Sequence, residues 1–385
     1  MLYIPPKNNL KGTFHGHDWF QHHFGFQESV ESVYSNLKVE DFDDHSEIVS
    51  SVNGRRINCG KFEIKHISSF PNFEKRGNGS LNIIHGYGRY SSKIELVDVL
   101  RQENCSFFDG ATFLAASNFN CLEFPHAGCN AAHGINNYGC DLTQGPTMSA
   151  AAIGACVYRN YFVKHPKSKA YFDEEIRKNE KNDETNFLVG QIEGEINLLA
   201  DTAIKTRHGK AILDSDELIN EAYKGFDFKN EDLYSVGVHS NCEVTTNRHD
   251  AFVLKDAEPG KIVHQVFAAS FSLGSYVRKH PKTYEILRCL LVSEYKATIL
   301  AAWENSIRFP GREGSNKCVL CLLGSGSFSN PIDFVAETIK ECTDLIESSG
   351  LEVYVVCFAD DIFKKVYPVL KNSVEQTHGK IIDAK

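Results

Sequence analysis

The residues best suited to chemistry fall in two polar stretches. Residues 324–330, GSGSFSN, follow a short apolar run and precede a helix-like stripe. Free backbone N–H groups and the positive end of a helix dipole at such a junction favour an anion such as a pyrophosphate. Gly324 and Gly326 would let a ligand approach the main chain, although such a loop on its own serves equally as a tight turn. The second stretch, residues 119–143, carries the carboxylates Glu123 and Asp141, and Gln144 and Gly145 follow at a helix start where amide donors could meet a phosphate or ribose. By residue type alone, Glu123 is expected to pair with a surface base and Asp141 to act as a capping group in the first helical turn. His126 and His133 of this loop read as surface residues.

Metal chemistry finds little support in local spacing. His15, His17, His22 and His23 crowd into FHGHDWFQHHFGF without a fixed ligand spacing to a carboxylate or thiol. That segment reads as one whose aromatic residues dock on the main domain. Cys318 and Cys321 form a CxxC, but side chains three apart in a strand point to opposite faces and cannot share an ion. No metal and no cofactor are expected.

These residues need elements to hold them. Residues 111–118 (ATFLAASN) read as a buried strand running into a polar loop, and Pro146 opens a helix reaching about Tyr161 at the first helical position. Residues 284–303 carry a helical stripe, with Glu294 beside it at an edge expected to face water. Residues 318–323 form a strand; Asn330, Pro331 and Asp333 mark a helix start with an Asn cap; residues 351–358 (LEVYVVCF) form the next strand. A strand, helix, strand sequence of this kind predicts a right-handed parallel crossover. Asn53-Gly54 suggests a hairpin in an N-terminal extension. Residues 174–186 alternate in charge and read as a solvated loop within an insertion.

Composition narrows the functional class. With 41 basic and 50 acidic residues, 41 − 50 = −9, the 385-residue chain has no overall basic field for nucleic acid or anionic lipid. No apolar run approaches the roughly 20 residues that span a bilayer, and the first ten residues lack the apolar stretch of a secretory signal, so the expected location is cytoplasmic or nuclear. The 12 cysteines are scattered through strand-like and helix-like segments and are read as reduced core residues.

LLGSGSFSN with its following helix and VYVVCF resembles the last strands and phosphate loop of the ADP-ribose-binding macrodomains, and ATFLAASN resembles their asparagine-bearing strand end at Asn118. Residues 141–162 (DLTQGPTMSAAAIGACVYRNYF), with EINLLAD, VHQVFAASF and EYKATILAA, are similar to MavL-like macrodomain enzymes, arginine-specific (ADP-ribosyl)hydrolases. The resemblance implies a three-layer α/β/α fold with a mixed central sheet. Residues 1–100 would be an extension packed on a domain of residues 101–385, itself carrying a mainly helical insertion at about 165–260. It also implies that Gly324, Ser325, Gly326, Ser327 and Phe328 clasp the diphosphate and distal ribose, and that Phe358 stacks on adenine. Glu123 and Asp141 would then be catalytic. Carboxylates match a planar guanidinium in bidentate geometry and can stabilise the oxocarbenium character of a breaking N-glycosidic bond. The implied partners are ADP-ribose and mono-ADP-ribosylated proteins linked through arginine. A non-catalytic ADP-ribose reader and a poly(ADP-ribose) glycohydrolase-like enzyme are the alternatives. The chain departs from the common macrodomain pattern in lacking a GGG turn after the asparagine strand, and it has no QEE motif.

Overall fold

Short runs of β-branched and aromatic residues in this chain line up into one sheet. A computed structural model describes residues 12–166 and 187–385. The charged run 174–186 lies outside them. In chain order the strands of the main sheet are β1 (Leu37–Asp41), β2 (Ser46–Ser50), β3 (Arg56–Lys65), β4 (Ser80–His85), β5 (Thr112–Ser117), β6 (Val236–Glu243), β7 (Ile262–Ala269), β8 (Lys317–Leu320), β9 (Glu352–Cys357) and β10 (Ile381–Asp383). They form a ten-stranded sheet ordered β10-β4-β9-β8-β5-β7-β6-β3-β2-β1. From β10 to β7 every neighbouring pair is parallel, and from β7 onward every pair is antiparallel. The sheet is therefore mixed, as expected, and the β8-to-β9 crossover is parallel.

Helices cover both faces. The long helix Pro281–Arg308 packs on β5, β6, β7 and β8, while Gln144–Ala151 packs on β5. Alternation along β7 separates the two layers. Gln265 donates to the Met148 carbonyl under the short helix, at 2.8 Å, whereas the ring of its neighbour His264 lies against Phe309 at the end of the long one. The expected three-layer α/β/α arrangement is present. No helix among the described residues is long and apolar enough to cross a membrane.

Several local expectations are corrected. Residues before 100, read as a packed extension, supply β1 to β4, and β4 lies between β9 and β10. The Asn53-Gly54 hairpin joins β2 to β3. The insertion at 165–260, expected to be mainly helical, holds among its described residues one two-turn helix (Asp216–Lys224), the strand β6 and several short strands. The cause is visible in TRHGKAI: His208 (φ 44°) and Gly209 (φ 71°) both take the left-handed conformation that closes a two-residue hairpin between Lys205–Arg207 and Lys210–Ile212.

The helix expected to open at Pro146 begins instead at Gln144, with Pro146 still in the first turn. It breaks at Ala152 because Thr245 inserts into its ladder, donating to the Ala151 carbonyl and accepting from the N–H of Ile153. Glu294, expected at a wet edge, is buried. One carboxylate oxygen accepts from the N–H of Ala269 at 3.1 Å and the other has no partner, so burial pushes its pKa well up. All 12 cysteines are unpaired. Trp19, Phe20 and Phe24 of the histidine-rich segment are buried, so that segment docks on the domain as its aromatic residues suggested.

Candidate functional site

Three parallel strands, β5, β7 and β8, end at one rim of the sheet, where an open α/β sheet places its ligands. A cavity of about 400 Å³ opens there, within the range of small-molecule sites. Of the expected site residues, it brings together Asn118, Glu123, Asp141, Gln144, Gly145, Gly324, Gly326, Ser327 and Phe328.

Helix Gln144–Ala151 is tied to β5 by its first residues. The Gln144 side chain accepts from the Ala116 N–H at 2.7 Å and donates to the Leu114 carbonyl at 2.9 Å, so its amide is committed to the strand and is not offered to a ligand. A Cβ on Gly145 would stand 1.8 Å from the Ala116 carbonyl oxygen, which only glycine avoids. What this start presents to the cavity is main chain, since first-turn N–H groups have no carbonyl partner within a helix.

The glycine loop is braced from below and from the side. Tyr295 of the long helix donates to the Cys321 carbonyl and accepts from the Leu323 N–H. Asn330, expected to cap the helix, instead donates to the Ser270 hydroxyl at 2.7 Å, and the helix begins at Ile332 with Pro331 in the cap position. Gly324 has φ 77°, and a Cβ there would meet the Asn330 side chain at 1.9 Å. A Cβ on Gly326 would meet nothing within 4 Å. Ser325 does not line the cavity; its buried hydroxyl has no partner. Phe358 is also elsewhere, 49% exposed, with its ring beside Gly88. The adenine-stacking role that the resemblance implied for Phe358 therefore has no place in this cavity.

The two carboxylates differ in environment. Glu123 is buried, contrary to a surface pairing. Its oxygens accept from the hydroxyls of Ser117 (2.9 Å) and Ser149 (2.8 Å), and the Arg159 guanidinium lies 3.9 Å away. Burial raises its pKa, and Arg159 and the two serines counter that only in part. Asp141 is half-buried. One oxygen accepts from the Thr143 N–H at 2.7 Å and from the Thr143 hydroxyl, so Asp141 shapes the turn before the helix but caps none of the helical N–H groups. No hydrogen bond among the described residues occupies its second oxygen.

Arg159 itself is fully buried. It donates to the Cys121 carbonyl (3.1 Å) and to Ser149 (2.7 Å), and its guanidinium lies 3.7 Å from the centre of the Phe267 ring. It forms the cationic underside of Glu123.

The site also contains a lysine that the sequence reading missed. Lys210 leaves the hairpin turn buried, with its Nζ donating to the Asn118 side-chain oxygen and lying 4.5 Å from the centre of the Phe328 ring. Asn118 is held at its other end by the Phe124 carbonyl at 3.1 Å. Burial lowers the Lys210 pKa to about 7, against the opposing pull of Glu123 and Cys129. Behind the turn, His208 and Asn120 both bond Glu195, at 2.9 and 3.1 Å. The readable cue was Gly209, a turn residue inside the polar run 205–210 that apolar residues flank on both sides.

No family model and no curated protein matches this chain. Among solved structures, poly(ADP-ribose) glycohydrolase from Deinococcus radiodurans in complex with ADP-ribose aligns with a TM-score of 0.38 at 12% identity, covering 78% of this chain and 87% of its own. The same enzyme from Thermomonospora curvata aligns with a TM-score of 0.41 at 10% identity, covering 89% and 96%. A macrodomain variant from Oceanobacillus iheyensis aligns with a TM-score of 0.33 at 12% identity, covering 82% and 99%. These likenesses are distant, and a functional reading has to stand on the residues around the cavity.

Proposed function

We propose that the cavity holds an ADP-ribose unit and that the chain hydrolyses the bond between its ribose C1 and an arginine side chain. The observation carrying this reading is the convergence of Glu123 and Asp141 with the 324–328 loop and Lys210 on one cavity. The loop and Lys210 supply main-chain donors and a cation for a diphosphate. Asp141, with one oxygen uncommitted, faces the guanidinium. Glu123, fixed by two serines and Arg159, supplies a held negative charge against the positive ribose that develops as the C1–N bond lengthens. Water adds to C1, its proton ends on the departing guanidine, and the products are ADP-ribose and unmodified arginine. No metal is needed for these steps.

A second reading has its own observation. The Thr143 bonds to Asp141 and the serine bonds to Glu123 give both carboxylates structural work, as in a reader that binds ADP-ribose on proteins without cleaving it. Incubation with arginine-, serine- and glutamate-linked ADP-ribosyl peptides, followed by mass spectrometry, separates the two. Release from the arginine-linked peptide alone supports the hydrolase. Binding of all three without release supports the reader. Release from serine- or glutamate-linked peptides overturns the arginine preference.

A further inference from the structure

We propose that His15, His17 and Cys140 form a zinc site that staples the N-terminal segment to the strap leading into Asp141. Their ligand atoms lie within 4.8 Å of one another, close enough to converge on one ion after small side-chain rotations. The site is separate from the cavity and does not depend on the reading of the function.

The juxtaposition is built by main chain. Residues Gly16–Asp18 and Asn136–Cys140 each form a short helical turn, far apart in sequence and pressed together in space. A Cβ on Gly16 would stand 2.0 Å from the Gly139 carbonyl oxygen, and a Cβ on Gly139 would stand 2.4 Å from that of Gly16. Both positions therefore need glycine, and the approach they permit brings Cys140 Sγ within 2.9 Å of where the Gly16 Cβ would be. Asn136 locks the pair, donating to the His17 carbonyl at 2.8 Å and accepting from the Phe20 N–H at 3.0 Å. His15 is fixed as the end of strand Thr13–His15, which pairs with Val253–Asp256.

The donor set selects the ion. Two imidazoles and one thiol form a borderline-soft set that suits zinc and leaves magnesium and calcium poorly served. Binding requires the Cys140 thiol to give its proton to solvent. Water would complete the four-coordinate set. The other histidine cluster, His22, His23 and Asp256, is less available. His22 already bonds Asp256 at 3.0 Å, and the buried His23 bonds Thr246 at 3.0 Å. Cys140 directly precedes Asp141, so an ion here would restrain the backbone that carries that carboxylate to the cavity.

The test uses the full chain without a histidine tag, stripped with EDTA and then titrated with zinc against a chromophoric chelator. Metal content and thermal unfolding are read in parallel. One zinc per chain and a higher Tm are expected. His17→Ala and Cys140→Ser should each weaken zinc binding by more than the roughly 10- to 100-fold cost of losing an indirect partner, with circular dichroism unchanged. His22→Ala should bind as the wild type does. Cobalt in place of zinc should show a thiolate-to-metal charge-transfer band that Cys140→Ser lacks. Wild type that retains no zinc at micromolar free ion, or Cys140→Ser that binds as tightly as wild type, overturns the proposal; loss of binding in His22→Ala places the ion in the other cluster and does the same.

Discussion

Lys210 donates from Nζ to the side-chain oxygen of Asn118, so the cation from a hairpin in the insertion is anchored at the end of a central strand. Its burial makes it a costly residue for the fold and a strong partner for an anion. Lys210→Met is expected to weaken ADP-ribose binding by about 1.5 to 3 kcal/mol, roughly 10- to 150-fold, the worth of a hydrogen bond to a charged group. The same variant should not lower Tm, because an apolar replacement removes a desolvated charge. Calorimetry and thermal unfolding together check both halves. Unchanged affinity would put the diphosphate elsewhere.

The pH dependence follows from the Lys210 pKa of about 7, against 10.5 for an ordinary lysine. Between these values the unfolded chain carries this proton and the native one does not. The Lys210 contribution to stability therefore rises with pH above about 7, and the full cost of burying the ammonium is present below it. Anion binding has the opposite slope, since only the protonated form attracts a diphosphate. ADP-ribose affinity should fall between about pH 6 and about pH 9, and that slope should flatten in Lys210→Met. A wild-type affinity that is level across this range would count against the assignment.

Asp141→Asn should leave the turn intact, because an amide oxygen can still accept from Thr143. Its loss of charge is expected to lower turnover of arginine-linked ADP-ribose by roughly 30- to 1,000-fold, about 2 to 4 kcal/mol, with a smaller effect on free ADP-ribose, which has no guanidinium. Glu123→Gln should behave alike. Near wild-type turnover in both would leave the carboxylates structural.

The two glycines of the loop should part company when substituted. Gly326→Trp meets no neighbour at Cβ and should fold normally while filling the cavity and blocking ADP-ribose. Gly324→Ala forces a clash with Asn330 at φ 77° and should lower Tm as well as affinity. Equal Tm values for the two would show that the loop bends more readily than its geometry implies.

Arg159→Met should destabilise the fold by about 3 to 5 kcal/mol, because it leaves the buried Glu123 without the cation that offsets part of its desolvation. Urea unfolding measures this directly. Adding Glu123→Gln to that variant should recover part of the loss, and a strictly additive double variant would show that the two residues are not coupled.

What could be read from the sequence was local. The parallel β8-to-β9 unit, the β5 strand and the glycine loop each announce themselves within about a dozen residues, through apolar runs, turn residues and helix stripes. So do Glu123 and Asp141 as carboxylates in a loop before a helix. What escaped depends on pairing between distant segments. Lys210 is an ordinary lysine until its hairpin folds over Asn118, Glu294 joins the interior only because the long helix lies beneath Ala269, and Cys140 meets His15 and His17 through a glycine contact that spacing rules do not scan. Asn330 was misread because Asn-Pro before a helix is a capping signal, and its bond to Ser270 needs β7 in place.

Strand β4 has a consequence for the order of biosynthesis. Ser80 pairs with Glu352 and Ile83 with Ile381, so both neighbours of β4 leave the ribosome long after it does. During that interval β4 is an apolar segment with both edges open, a template for pairing with another nascent chain. Expression at low temperature or with a holdase chaperone should therefore raise the soluble yield of this protein more than that of a variant circularly permuted to start between β8 and β9, in which both β9 and β10 are already made when β4 emerges.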